Sequence, residues 1–433
     1  MNPHALEVLE FHRVMEGIAS RSISQLGRER ILGTLPGVHL GSIRTELTRV
    51  EETARFLDRH RDWTAPDIPD ARDGLDRLDL EGAVLEPKEL FALGALLVSS
   101  RQLEDGLSLA DGELSSLQFL SEGLYVDRSA EKAIQKTVDR DGSVLDSASK
   151  ELRRIRDRLR RIHSQIVRAL EKLLTTLPER IVVPDASVTI REGRYVIPVR
   201  REGKADVGGV VMDESATGST LFVEPPVSLT MMGELRELQR EEAREILRIL
   251  REQTDRLRPL APLLRGAQES LVVFDTLYAR ALAALAWGAS APDLLPSGTQ
   301  DLEIVQGKHP LLLSKAPGEV VPFDLRLDEG ERALVVSGPN TGGKSVFLKA
   351  LGLIATLAQA GVVPPVGKGS RIPVFSGIFA DIGDEQSIVE SLSTYSAHLA
   401  NLRELLAHAD GESLVLIDEM GTGTDPQEGA ALS

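Results

Sequence analysis

The chain has 433 residues, enough for two to four domains, because single hydrophobic cores stop growing at roughly 250 to 300 residues. It contains no cysteine, which excludes disulfides, thiolate metal sites and cysteine nucleophiles and fits a reducing cytoplasm. The net charge of −16 excludes a chain that is basic throughout, yet residues 150–258 carry +4 while 1–149 carry −10, 259–300 carry −1 and 301–433 carry −9, so only the middle segment suits a polyanion.

The N-terminus lacks the basic start and apolar core of an export signal, and no stretch approaches the roughly 20 apolar residues that span a bilayer, so no membrane partner is expected. Residues 1–149 read as an α-helical core of short helices, with apolar periodicity at Leu6, Leu9, Val14 and Ile18 and again at Leu90, Leu93, Leu96 and Leu97. Breakers at Pro36-Gly37 and from Pro66 to Pro69 separate them. From Leu145 through Ala148, Leu152, Ile155, Leu159, Ile162, Ile166, Ala169 and Leu173 the apolar steps alternate between three and four, which predicts a long helix with a coiled-coil seam.

On the other faces of that helix, Lys150 to Lys172 bears nine basic residues against three acids. Lys150, Arg153, Arg154, Arg156, Arg160 and Arg161 are therefore candidate nucleic-acid contacts, joined by Arg194 on a following strand. A charge run of this kind also serves as the solvated flank of a coiled coil. After Pro178 the period becomes two, and Ser187 to Ile190 and Arg194 to Val199 read as strands of a hairpin turning at Glu192-Gly193. A second long helix from about Leu229 to Arg258 sets Arg236, Arg240, Arg244 and Arg248 beside Glu237, Glu241 and Glu245, charges expected to pair along the helix. Residues 150–258 thus describe an arm: helix out, β-module at about 183–228, helix back. Residues 259–297 form a return helix and a linker at Pro292 to Gly298, and 298–433 form the last domain.

That domain contains Gly338-Pro-Asn-Thr-Gly-Gly-Lys-Ser345, the phosphate-cradling pattern G-x-x-x-x-G-K-[ST], between the apolar run Ala333 to Val336 and a helix expected from Val346 to Ala360. The run is expected to be a buried strand. Gly338, Pro339, Asn340, Thr341, Gly342 and Gly343 would form the cradle, the backbone N–H groups of all but Pro339 surrounding phosphate oxygens at the positive end of the helix, with Val346 closing the site. Lys344 would reach the β- and γ-phosphates of ATP, and Ser345 would hold Mg2+. Downstream, Ser413-Leu-Val-Leu-Ile-Asp-Glu419 is an apolar strand ending in two acids. Asp418 suits the Mg2+ shell and Glu419 the attacking water. Ser393 lies 25 residues before Asp418, the spacing of the serine that ATPases of the ABC class press on a nucleotide held by the other subunit.

These motifs, with Ser391-Leu-Ser-Thr-Tyr395, Leu416-Ile-Asp-Glu-Met-Gly-Thr-Gly-Thr-Asp-Pro426 and the lead-in Lys308-His-Pro-Leu311, resemble the MutS family of DNA-binding ATPases. The Thr341 form of the loop, the block from Gly193 to Val199 and from Thr220 to Pro225, and the opening Ala5-Leu-Glu-Val-Leu-Glu-Phe11 are similar to its second bacterial branch, MutS-two. The resemblance implies a multidomain fold: an α-helical core with long lever or coiled-coil helices and a small β-containing clamp, followed by an α/β P-loop ATPase domain of the ABC class, incomplete at its C-terminus. It implies ATP and Mg2+ as cofactors, Glu419, Lys344, Ser393 and Thr394 as catalytic residues acting across a homodimer, and branched or junction-like DNA as partner, with suppression of homologous recombination. An alternative within the family is a ribosome-associated ATPase that contacts rRNA and senses or splits collided ribosomes. Another reading is a catalytically silent chromosome-maintenance arm, which predicts a much longer coiled coil. Phe222-Val-Glu224 looks like the mismatch wedge of other branches but is expected to be a strand end. The family's switch histidine, dimerising tail and nuclease domain lie past Ser433, so the chain is expected to be a fragment.

Overall fold

The computed structural model describes residues 2–109, 115–316, 318–338, 343–382 and 391–418, with the backbone alone at 391–399. Helices α1 (Pro3–Val8), α2 (Phe11–Ala19), α3 (Gln25–Leu32), α4 (Leu40–Arg59), α5 (Arg72–Asp79), α6 (Pro87–Ser108), α7 (Gln118–Gly123) and α8 (Arg128–Thr137) open the chain. Next come α9 (Lys150–Thr176), strands β1 (Thr189–Arg191) and β2 (Arg194–Arg200), α10 (Lys204–Val207), β3 (Val210–Glu214), β4 (Thr220–Glu224), α11 (Pro226–Leu257) and α12 (Ala261–Trp287). The remainder holds β5 (Asp293–Leu295), β6 (Leu302–Gly307), α13 (Pro310–Lys315), β7 (Phe323–Leu327), α14 (Lys344–Gln359), β8 (Arg371–Pro373), β9 (Ile378–Asp381), α15 (Ser391–His408) and β10 (Leu414–Ile417). Two compact units result: Met1–Asp70 with Leu96–Val126 and Leu263–Ser433, and Ala71–Ala95 with Asp127–Pro262.

In the second of these units α9 starts where Ser149 caps it. The Ser149 hydroxyl accepts from the Leu152 N–H (2.9 Å) and donates to Glu245 Oε1 (2.7 Å). Leu145 and Ala148 therefore precede the helix, and the seam is Leu152, Ile155, Leu159, Ile162, Ile166 and Leu170. From Ile155 onward it packs against Met232, Leu235 and Leu238 of α11 and against Ile197, Val199, Leu221 and Val223 of an antiparallel sheet ordered β1-β2-β4-β3. Each such side chain contributes about 1.5–3 kcal/mol on full burial. Glu192 and Gly193 both take positive φ (49° and 70°), the two-residue turn whose twist matches a tight hairpin. Phe222-Val-Glu224 is the end of β4, with Phe222 opposite Pro198.

In the other unit, buried Asp275 of α12 accepts from Ile23 N–H (2.7 Å), Ser24 N–H (2.9 Å) and the Ser24 hydroxyl (2.5 Å), which anchors the start of α3. Arg280 donates to Glu46 (3.0 Å) and to the carbonyls of Thr276 (3.0 Å) and Gly361 (3.0 Å), joining α4, α12 and the end of α14. Burial alone would raise the Glu46 carboxyl; the Arg280 charge and the bonds from Arg49 and Arg280 outweigh it and hold the group below the usual carboxylate range. Contrary to the sequence expectation, the helical run Pro226–Trp287 contains an 18-residue window, of mean hydropathy 1.3, long and apolar enough to cross a membrane. Because 72% of that window is buried inside the protein, its apolar length is accounted for by core packing.

Two further expectations are corrected. Pro292 to Gly298 is not a bare linker, because Asp293–Leu295 forms β5, parallel to β8 in a sheet ordered β5-β8-β6-β7, and Leu294 is fully buried opposite Ile372. Ala333 to Val336 is not a buried strand: the segment joins no sheet among the described residues, and Val335 is 88% exposed. β10 pairs in parallel with β9, and an apolar extended segment gains neither ladder nor burial without such a neighbour.

His309, just before α13, is 7% exposed and its Nδ1 has no hydrogen-bond partner among the described residues. Burial pushes its imidazole down from 6.5 to about 4, against the opposing charge of Glu10. Between those values the unfolded chain binds a proton that the folded chain refuses, so the contribution is complete above about pH 6.5 and is lost as pH falls toward 4. Urea unfolding should show a loss of about 2 kcal/mol between pH 7.5 and 5.0. His309→Leu should flatten that step, and an unchanged slope in the variant would assign it to other groups.

Candidate functional site

The glycine-rich loop leads into α14 through Gly343, whose φ of 85° and ψ of 20° are left-handed and suit glycine. Lys344 is the first residue of the helix and Ser345 the second, so their N–H groups are among the first-turn donors that no helical carbonyl satisfies. The Ser345 hydroxyl donates to Asp418 Oδ2, which brings the loop's last residue to the end of β10. Asp418 N–H in turn donates to Asp381 O (3.0 Å), extending the β10–β9 pairing in which Ile417 faces Asp381. Asn401 of α15 donates to Asp381 Oδ1 (3.4 Å) and lies 2.8 Å from His4 Nε2, so the strand end is held from a third side. This support had no sequence signal beyond an acid at position 381.

A hydroxyl and a carboxylate within hydrogen-bonding reach are hard oxygen donors and fit the one or two protein ligands that Mg2+ takes beside nucleotide phosphates. Among the described residues no group of three or more His, Cys, Asp or Glu side chains could hold a metal by itself. Gly338 ends the exposed segment before the loop, and Val346 is 44% exposed beside it. Ser393 and Thr394 fall in the first turn of α15, which starts at Ser391. Pro339, Asn340, Thr341, Gly342 and Glu419 lie outside the described residues, as do the side chains of Ser393 and Thr394.

The cationic candidates on α9 separate into two groups. Arg156 is half-buried, donating to Glu242 (2.7 Å), Asp146 (2.7 Å) and the Val144 carbonyl (2.7 Å). Arg194 is paired with Glu224, which is fully buried. These two are committed inside the fold, a correction to their place among the expected contacts. Hydrogen bonding from Arg156 holds the Asp146 carboxyl below its usual range. Arg160 is exposed but bonds Asp157 (2.5 Å). Lys150, Arg153, Arg154 and Arg161 are exposed, as are Arg168 and Lys172 farther along. Lys150, Arg154, Arg161, Arg168 and Lys172 follow one another at intervals of four and seven, so they share one helical face, opposite the seam. The charges of α11 pair partly along the helix, as in Arg244–Glu237 (3.1 Å) and Arg248–Glu245 (2.8 Å), but Glu242 and Glu241 reach α9 instead, at Arg156 and Arg158.

Residues 334–433 match the family model described as MutS domain V. Over its whole length the chain is 45% identical to Endonuclease MutS2 of Gemmatimonas aurantiaca, covering 53% of that protein. It is 40% identical to Endonuclease MutS2 of Geobacillus thermodenitrificans (55% covered) and 40% identical to that of Pelotomaculum thermopropionicum (54% covered). The chain spans about half the length of these curated relatives.

Removing Arg194 leaves the buried Glu224 carboxylate without its cation, whereas Arg168 faces water. Arg194→Ala should therefore lower urea-unfolding stability by about 2 kcal/mol, and Arg168→Ala by less than about 0.5 kcal/mol.

Proposed function

Since this chain belongs along its whole length with the MutS family, in the branch of the MutS2 proteins, we propose that it is the ATP-binding and nucleic-acid-binding part of such a protein. The observation that carries the nucleotide reading is the Ser345–Asp418 hydrogen bond, which joins the end of the phosphate loop to the end of β10. In this reading the N–H groups of Gly343, Lys344 and Ser345 hold phosphate oxygens at the start of α14. The Lys344 ammonium neutralises the β- and γ-phosphates, and Ser345 and Asp418 hold Mg2+. Bound there, Mg2+ supplies charge neutralisation to the transferring phosphoryl group. Glu419 orients water, and Ser393 with Thr394 completes the site of a second subunit in a homodimer. Turnover of ATP to ADP and phosphate is part of the proposal, as is a cytoplasmic setting, which the absence of cysteine supports.

We further propose DNA as partner, in branched or junction form, and suppression of homologous recombination as outcome. The cationic face of α9 supports a phosphate-backbone contact that carries no base specificity. For the same reason a ribosome-associated role through rRNA is the alternative. No residue of this chain is assigned to the endonuclease activity in the relatives' names.

Lys344→Ala should abolish binding of a fluorescent ATP analogue, and Asp418→Asn should retain nucleotide but lose its Mg2+ dependence; unchanged affinity in Lys344→Ala would sink the site. Reversing Arg154, Arg161 and Arg168 to Glu should weaken four-way-junction binding by about tenfold or more and lower the salt slope by roughly 3. Cosedimentation with stalled ribosomes that exceeds junction binding, and is lost in the same triple variant, would favour the alternative.

A further inference from the structure

A cavity of about 170 Å3 opens where α2, α13 and the end of α12 meet, and none of its lining residues belongs to the 338–345 loop, α14 or β10. Val14, Ile18, Trp287 and Leu311 give it an apolar wall, while Arg13, Arg21 and Lys315 are its charged members. No Asp or Glu lines it, although the chain carries 66 acidic side chains against 50 basic ones. Arg13 is paired with Glu10, so Arg21 and Lys315 leave two positive charges in excess beside an apolar wall, in a protein of net charge −16, and that excess is lowered in energy when something negative sits among them.

We infer that this cavity binds a small organic anion, an aromatic or compact apolar body carrying one phosphate or carboxylate group. A cavity of this size accepts one six-membered aromatic ring, and Trp287 in its lining is an aromatic side chain for such a ring to pack against. Arg21 and Lys315 make no ion pair among the described residues. Arg13 is held only by an exposed bond to Glu10 (2.8 Å), and Lys349 stands 3.6 Å from the other Glu10 oxygen. When Arg13 turns toward an anion, Lys349 still balances Glu10, so recruiting Arg13 costs little. Gly17, another lining residue, has nothing within 4 Å of a Cβ built on it, so the cavity is not filled at that point.

Phenyl phosphate is the probe, titrated calorimetrically into the intact chain, with phenol as the same ring without charge. Trp287 is one of two tryptophans, so in Trp63→Phe its emission reports the site directly. Saturable heat with phenyl phosphate, a matching change in Trp287 emission, and affinity for phenol weaker by about tenfold or more support the inference. So does a loss of about tenfold or more in R21Q/K315Q, whose altered side chains reach solvent. Equal affinity for phenol, an unchanged affinity in R21Q/K315Q, or non-saturable heat would overturn it. Binding that disappears in Lys344→Ala instead would place the probe in the phosphate loop, and would overturn this inference while supporting the nucleotide reading.

Discussion

Every residue of α14 from Ala350 to Gln359 is buried, and a helix apolar on all sides is stable only where it is enclosed. That constraint draws distant parts of the chain into one unit. α2, α4, β6, β9 and β10 all pack against the helix. Polar groups around it are all spoken for at its far end: Gly37 N–H donates to Gln359 O (2.9 Å), the Gln359 amide donates to Gly37 O (2.7 Å), and Arg280 closes the Gly361 carbonyl. The near end is different, because there the first-turn N–H groups lie beside the glycine-rich loop. Enclosure thus fixes the direction in which the N-terminal end of the helix points, and Ser345 meets Asp418 as a consequence.

The unit that contains α9 and α11 is governed by a different economy, in which arginine serves two purposes. Arg156 and Arg194 neutralise Glu242, Asp146 and buried Glu224, so their charge is consumed in holding α9, α11 and the sheet together. Arg161, Arg168 and Lys172 stand exposed on the opposite face from the seam, Arg161 bonded only to the Asp157 carbonyl (3.2 Å) among the described residues. A sequence window of basic residues mixes the two groups, and only the position of each side chain around the helix separates them. The result narrows a basic run to one face along α9.

What could be read in advance was local. The apolar strand before Asp418, the hairpin at Glu192-Gly193 and the seam from Leu152 to Ile166 rest on glycine placement and on periods of two and 3.6, which a short window contains. The misreadings were not local. Leu294 lies between prolines like a linker residue and becomes a strand because β8 offers it a ladder, while Val335 has the composition of a buried strand and no described neighbour to pair with. α12 passes as a membrane helix on composition, and a packed core accounts for its apolar face.

By itself the sequence determined the inventory: a glycine-rich loop ending in Lys344-Ser345, two acids after an apolar strand, a basic helix in an otherwise acidic chain, and no thiol chemistry. The tertiary structure decided the partnerships. It gave Arg280 to Glu46 and Gly361, Asp275 to Ser24, Asn401 to Asp381, and Arg13 both to Glu10 and to a cavity beneath Trp287. Apart from Arg13–Glu10, such pairings join residues tens to hundreds of positions apart. They follow from how apolar faces pack and from the need to satisfy whatever polar group that packing buries, neither of which is written in a local pattern.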